Sequence, residues 1–476
     1  MTITSIIFFI FAALTVAVYY LLPRRPQNIW LLFVSYVFIV SWDWTFAAVL
    51  GMVTAINFLL ALRLRINDKG QRGLLWLGIG FNVLTLVFFR AAGIFLPELE
   101  AALHSLGLST QAGGLHILVP LGLSYYILQI ISYLVDAYRG QLKAESDFVD
   151  FALYLAYFPK LLAGPIERAR AFLPKLAQPR MVDNQMIAES VMLIFVGLVR
   201  KLIIADTLTA SFLPDVFEIP ANYGPPELVF WLVIYAFALY NDFAGYTDMV
   251  RGISGFFGID LSPNFRAPYF SRNFTEFWKR WHITLSEWLR DYIYYPLSRA
   301  LSRSKTSYRS LANLIVPPLI TMLVSGMWHG FSLNMILWGG LHGLYLIVER
   351  IPALWRRVVP PQNQPLWRQW LGMVVVFFLV ILAWVPFRWE LPAAFQLWEA
   401  LLNWSDVAIR YRRMLLVLPL LLVALALDFL QYRSEDEFIF LKWSPVTKAA
   451  CIAIVLFWVF IVTGGDFEQP FVYQAF

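Results

Sequence analysis

Apolar positions in this chain gather into long runs and do not alternate. Residues 2–22 form the first run, and about 20 apolar residues suffice to cross a hydrocarbon core. Runs at 28–40 and 44–62 make a return pair around the aromatic tip SWDW. Residues 74–89 and 115–138 follow, separated by a loop that reaches to about residue 114 and carries Glu98 and Glu100. Residues 148–164 are apolar but short, and Pro159, Gly164 and Pro165 would break a spanning helix there. That stretch reads as a re-entrant or interfacial element, which is tolerated at membrane depth only where protein or a water-filled cavity covers the backbone. Runs at 186–204, 227–243, 311–327, 331–348, 366–387, 414–430 and 446–462 complete about 12 crossings. The pattern predicts an all-α polytopic membrane protein.

Composition agrees with the pattern. The chain is 60% hydrophobic and 14% charged, with mean hydropathy +0.65, whereas a soluble domain carries about 25% charged residues. Its 40 Phe, 22 Tyr and 19 Trp suit broad contact with a lipid bilayer. The net charge of +6 does not point to nucleic acid, because the Lys and Arg sit in short loops between apolar runs. With both termini outside, about 30 of the 37 basic residues fall on the cytoplasmic side, as the positive-inside rule favours. The basic loop residues Lys160, Arg168, Arg170, Lys175 and Arg180 are expected there. Cys451, the single cysteine, reads as a packing residue. No repeat or linker divides the chain, so one integral domain is expected: residues 1–114 as N-terminal helices, 115–350 as a core, and 351–476 as C-terminal helices.

Two histidines stand out in this apolar setting. After Asn273, the residues Phe274, Phe277, Trp278, Trp281, Leu285, Trp288, Leu289 and Tyr292 recur at helical spacing, opposite Glu276, Lys279, Arg280, Glu287 and Arg290. Asn273 with Glu276 reads as a helix N-cap, and the whole as one amphipathic helix in the cytoplasmic interface with His282 at the edge of its apolar arc. His329 lies between two apolar runs, in SGMWHG. An ionisable group at membrane depth is expensive and therefore a candidate for function. A buried neutral imidazole suits proton removal from a hydroxyl nucleophile. The competing reading is a histidine hydrogen-bonded to a backbone carbonyl, and spacing alone leaves the two open for His329 and favours the second for His342, His104 and His116. Asp242 and Asp248 read as helix-packing or gating groups before catalytic acids.

The sequence also lacks several signatures. It has no Gly-x-Ser-x-Gly elbow, P-loop, His-Glu-x-x-His or dinucleotide glycine pattern, and no His-x4-Asp. Its histidines have no clustered metal-ligand spacing, so no metal site is expected.

The segments FPKLLAGPIERA, YNDFAGYTDMVRGISGFFGIDLSPNFRAPYFSRNFTEFWKRWHITLSEWLRDYIYYPL and SGMWHGFSLNMILWGGLHG resemble the membrane-bound O-acyltransferase family. The similar branch is that of bacterial alginate O-acetyltransferase membrane subunits, which VPLGLSYYILQIISYLVDAYRG and FVYQAF also fit. The resemblance implies helices around a central tunnel, reached by an acyl thioester from the cytoplasm and by a hydroxyl acceptor from outside. It implies His329 and His282 as catalytic residues, with Trp328, Asn241, Asp242, Tyr246, Trp281 and Asn334 as candidate substrate-binding positions. The implied donor is acetyl-CoA or an acyl-carrier protein, with no permanently bound cofactor. The implied partners are an extracytoplasmic protein of the SGNH-hydrolase type and a polysaccharide as final acceptor, at the cytoplasmic membrane. A D-alanyl transferase fed by a carrier protein shares this architecture. A secondary transporter is the rival class, though such proteins usually show internal repeats, and none is found here.

Overall fold

Ser5 and Asp43 show how the helices begin. The Ser5 hydroxyl accepts from Phe8 N to start the helix Ile6–Tyr19, and the Asp43 carboxylate accepts from Thr45 N at 2.8 Å to start Trp44–Arg63. The computed structural model describes residues 1–64, 68–105, 118–212, 216–303, 309–354, 361–404 and 411–463. Among these, every regular element is helical. Six helices are long and apolar enough to cross a membrane: Trp44–Arg63, Arg72–Ala92, Pro225–Gly255, Ser310–His329, Leu366–Arg388 and Tyr411–Ser434. The motif FVYQAF and His116 lie outside the described residues.

The chain divides into two compact units, Met1–Asp183 with Ile253–Leu261, and Asn184–Gly252 with Ser262–Phe476. In the first unit, the turn at SWDW joins the helices Arg24–Val40 and Trp44–Arg63, as the return pair predicted. The first helix is shorter than its apolar run: Ile6–Tyr19 has 14 residues, below the length of a straight crossing. The fourth is longer, because Arg72–Ser105 continues as helix into the stretch expected to form a loop. Asn57 and Asn82 exchange side-chain hydrogen bonds at 3.2 and 2.7 Å between two of the spanning helices, so neither amide is left bare among apolar groups.

The short apolar stretch is broken where its prolines and glycines required. The helix Phe148–Ala156 ends at Tyr157, and a single turn, Phe158–Leu161, follows with Pro159 near its start. Gly122 has φ +73°, and a Cβ on it would stand 2.1 Å from the Leu161 carbonyl oxygen, so this broken segment packs directly on a bare backbone. One expectation is corrected here. Lys160 is not a solvated loop residue but is fully buried, donating to Gln129 Oε1 and to the Tyr154 carbonyl at 2.6 Å, with its ammonium 5.0 Å from the Tyr154 ring centre. In FPKLLAGP only the apolar neighbours of this lysine hinted that protein, and not water, surrounds it.

The second unit holds three further candidate spans, most of a fourth, Pro225–Gly255, and both highlighted histidines. Its hairpin of helices, Arg309–His329 and Leu333–Arg350, closes at glycines: a Cβ on Gly326 would meet the Met335 carbonyl oxygen at 2.2 Å, and one on Gly339 the Met322 carbonyl oxygen at 2.4 Å. Small residues let two backbones approach this way in a membrane.

Candidate active site

The stretch after Asn273 is not one helix. Asn273 does cap it, its side chain accepting from Glu276 N at 2.7 Å, but the helix Phe274–Arg280 stops there and a second, Ile283–Leu289, begins after His282. His282 has φ +41°, ψ +55°, a left-handed backbone that costs an L-residue roughly 1–2 kcal/mol. The break is fixed by pairing with the preceding segment. Arg266 N donates to Arg280 O at 3.0 Å, Ile283 N to Asn264 O at 2.9 Å, and the Thr284 hydroxyl to Asn264 Oδ1 at 2.7 Å. The start of the first helix is held from outside as well: the Glu349 carboxylate accepts from Phe274 N at 2.6 Å and from Thr275 N at 3.2 Å. Glu276 bridges Arg272 and Arg280 at 2.8 and 2.9 Å. Burial works against its ionisation, yet these hydrogen bonds and charges outweigh it and hold the carboxyl below the usual glutamate range.

The break turns His282 inward, where the continuous helix would have left it at the edge of an arc. The ring is 1% exposed, with centroid distances of 4.9 Å to Phe243, 6.4 Å to Phe265 and 6.0 Å to Trp328. Burial pushes its pKa down to about 3, so the imidazole is neutral at physiological pH. His329 ends the helix Arg309–His329 and keeps 5% exposure. Its ring lies 4.9 Å from Trp328, 5.2 Å from Trp338 and 5.2 Å from Phe387. Trp328 therefore touches both histidines. A third, His342, is fully buried with its ring 5.0 Å from Trp338 and 5.0 Å from Trp278, and among the described residues neither ring nitrogen has a hydrogen-bond partner. Trp281 is 2% exposed, stacks on Phe277 at 5.6 Å, and lies beside Trp384 at 4.8 Å and edge-on to Phe265 at 5.1 Å. Asn334 donates to the Pro386 carbonyl at 3.0 Å, tying the start of Leu333–Arg350 to the end of Leu366–Arg388, next to Phe387.

Asn241 and Asp242 are buried, but their partners are protein groups. Arg200 donates to Asn241 Oδ1 at 2.9 Å and to Asp428 at 2.7 Å, while Lys201 pairs with Asp242 at 2.7 Å. Tyr246 is 4% exposed one turn further along the same helix. A cavity of about 1430 Å³ opens beside this network. Arg200, Tyr240, Asp248, Phe265, Lys279 and Arg280 are among its walls. Neither His282 nor His329 lines it, and nor do Asn241, Asp242 or Tyr246; Phe265 does, and its ring is the layer next to His282.

The model of the membrane-bound O-acyltransferase family matches residues 110–386, which hold both histidines and more than half of the chain. The chain belongs to this family. It is therefore a multi-pass membrane O-acyltransferase. Among its relatives is a protein of Azotobacter vinelandii named "Probable alginate O-acetylase", 36% identical over 85% of this chain and 78% of its own length. A peptidoglycan O-acetyltransferase of Helicobacter pylori is 30% identical over 84% of this chain and 80% of its own. A teichoic acid D-alanyltransferase of Streptococcus thermophilus is 28% identical over 56% of this chain and 68% of its own.

Two features of the second unit leave little trace in the sequence. The Arg200–Asp428–Tyr240 network joins residues far apart in the chain, and the only sequence signal was charge inside apolar runs: Arg200 and Lys201 at 186–204, Asp428 at 414–430. His342 follows Gly339 and Gly340 in sequence, which says nothing of the five aromatic rings, Phe277, Trp278, Trp338, Tyr345 and Trp384, that close on it.

Proposed function

We propose that this chain moves an acetyl group from a cytoplasmic thioester, acetyl-CoA, to a hydroxyl acceptor on the outer side, with His329 as general base. The observation that carries the reading is the position of His329: it ends an apolar helix, it is held among Trp328, Trp338 and Phe387, it keeps 5% exposure, and Trp328 links it to His282. In the reaction, a His329 ring nitrogen takes the proton of the acceptor hydroxyl as that oxygen bonds to the thioester carbonyl carbon. The C–S bond then breaks, and the departing thiolate takes the proton back from the imidazolium. His282, neutral and rigid, orients the donor or stabilises charge developing on the carbonyl oxygen.

The donor side of this reading rests on the basic cavity, and its cytoplasmic assignment on the distribution of Lys and Arg. By the same rule both termini lie outside, and the protein sits in the cytoplasmic membrane. The acceptor is a polysaccharide hydroxyl, reached directly or through an extracytoplasmic protein of the SGNH-hydrolase type. An acetyl group is favoured over D-alanine because similarity to the O-acetylating relatives spans far more of this chain than similarity to the D-alanyltransferase.

The test is labelled acetyl-CoA supplied to the purified protein. Free CoA should be released and label should appear on an acceptor, whereas a transporter would move the substrate intact. His329→Ala should lower transfer by about 10²–10⁴-fold, the usual cost of losing a positioned base, while keeping wild-type thermal unfolding. Near-wild-type transfer by that variant would overturn the role.

A further inference from the structure

Beside the aromatic wall of His329 lies a second polar cluster. His342 is fully buried, with the Trp278 and Trp338 rings each 5.0 Å from its own and 5.9 Å from each other. Both ring nitrogens of His342 and the indole nitrogens of Trp278 and Trp338 are buried, and among the described residues none of these atoms has a hydrogen-bond partner. Phe277 and Trp384 add only ring contacts to the same imidazole, at 6.1 and 6.3 Å, and the Tyr345 hydroxyl donates elsewhere, to the Leu379 carbonyl. Buried polar groups nearly always find a partner, and leaving one bare is costly. Several bare groups in one triangle of rings mark a site for a small polar guest. Indole and imidazole carry no charge to balance an ion, so the guest is neutral. The groups suit one water. Each indole offers an N–H, and a neutral imidazole offers one acceptor nitrogen and one N–H. A water that accepts from both indoles and donates to the imidazole makes about three hydrogen bonds, the usual number inside a protein.

The hairpin places this site relative to His329. Its helices set Gly326 against Met335, Gly339 against Met322 and Gly343 against Leu319. Counted from the turn, His329 therefore comes first, Trp338 next and His342 last. Trp338 is in ring contact with both, at 5.2 and 5.0 Å. The order has a chemical consequence. A base that takes a proton from an alcohol can take one from water, and a site that excludes water avoids hydrolysing its donor. Resting on the reading of His329 as base and of a thioester as donor, we propose that His342, Trp278 and Trp338 hold an internal water, and that the Trp338 ring is the partition keeping it from His329. Trp338 is thereby a specificity-determining residue, for transfer to an alcohol over hydrolysis. With the partition gone, the water oxygen bonds to the thioester carbonyl carbon while His329 takes a proton from it. The C–S bond breaks, the thiolate receives that proton from the imidazolium, and acetic acid and free CoA leave.

The experiment supplies acetyl-CoA without an acceptor to the full-length protein in nanodiscs, in water labelled with heavy oxygen. Trp338→Ala should raise CoA release about tenfold or more over the wild type, with labelled oxygen in the acetate. Trp338→Leu should raise it less, and serves if thermal unfolding shows the alanine variant to be misfolded. Adding His342→Phe should reverse most of the gain, whereas a fold merely loosened at Trp338 would leak whatever residue stood at position 342. Adding His329→Ala should abolish it. A second arm needs no turnover. In protein carrying nitrogen-labelled tryptophan, the indole N–H signals of Trp278 and Trp338, assigned with Trp278→Phe and Trp338→Phe, should receive magnetisation from water in the wild type and lose it in His342→Phe. Absence of that transfer in the wild type sinks the proposal, as does wild-type CoA release by folded Trp338 variants, or hydrolysis indifferent to His342→Phe. If neither Trp338 variant folds, the resonance arm decides alone. Hydrolysis that survives His329→Ala while the water signal persists overturns the base reading and spares the water site, so the two failures are told apart.

Discussion

At the scale of single residues, His282 joins two costs, a left-handed backbone and a ring removed from water. Strain of this kind persists only where the surroundings over-determine it, and it clusters at functional sites. Its titration follows from burial. In the unfolded chain the ring takes a proton near pH 6.5, but in the folded protein only near pH 3. The folded state therefore binds fewer protons between those values, and the contribution of this neutral ring to stability, complete above pH 6.5, falls as the pH drops toward 3. Thermal unfolding in detergent should show the wild type losing more stability between pH 7 and pH 4.5 than His282→Gln does; equal losses would mean that the ring is solvated. Both histidines were legible in the sequence, since each interrupts apolar surroundings. The backbone at His282 was not. Helical spacing of the aromatic residues continues across it, and only the pairing of Asn264–Arg266 with Arg280–Thr284, a contact distant in sequence, ends the helix there.

Among the elements, the hairpin Arg309–His329 with Leu333–Arg350 sets where the histidines stand, because it carries His329, Trp338 and His342 on two closely approached backbones. The pair Gly339–Gly340 divides the labour. A Cβ on Gly339 would stand 2.4 Å from the Met322 carbonyl oxygen, while one on Gly340 meets nothing within 4 Å. Gly339→Ala should therefore force the helices apart and cost about 1–3 kcal/mol, as overpacking does. Gly340→Ala should be neutral or stabilise by up to about 1 kcal/mol through helix propensity. Paired thermal denaturation of the two variants checks this, and equal behaviour would mean that the hairpin is looser than described. The sequence showed two glycines and a hairpin, but not which glycine faces the partner, since the apolar residues around them cover more than one helix face. The broken element at 148–164 was the easier reading, because proline and glycine act on their own backbone and need no partner to do so.

Over the whole molecule, cations are buried in both units, and each is answered within its own unit. Lys160 is held by Gln129 and Tyr154 in the first; Arg200 is held by Asn241, Asp428 and Gln431 in the second. The Arg200 network ties the π-helical turn Val199–Ala205 to the helices Pro225–Gly255 and Tyr411–Ser434, three elements that no local signal assigns to one another. Such a network is weak evidence for net stability, because two charges must leave water to form it. Breaking it is another matter. Asp428→Ala leaves Arg200, which is 2% exposed, with Asp248 at 3.7 Å as its remaining carboxylate among the described residues, and removing one partner of a buried pair costs about 3–5 kcal/mol. The double variant Arg200→Met with Asp428→Leu removes both charges together, so it should recover most of that loss despite carrying the more drastic change. Melting of the wild type and the two variants in one detergent decides the matter. If the double variant is no more stable than Asp428→Ala, the tie is held by the shape of these side chains and their hydrogen bonds, and charge balance has little part in it.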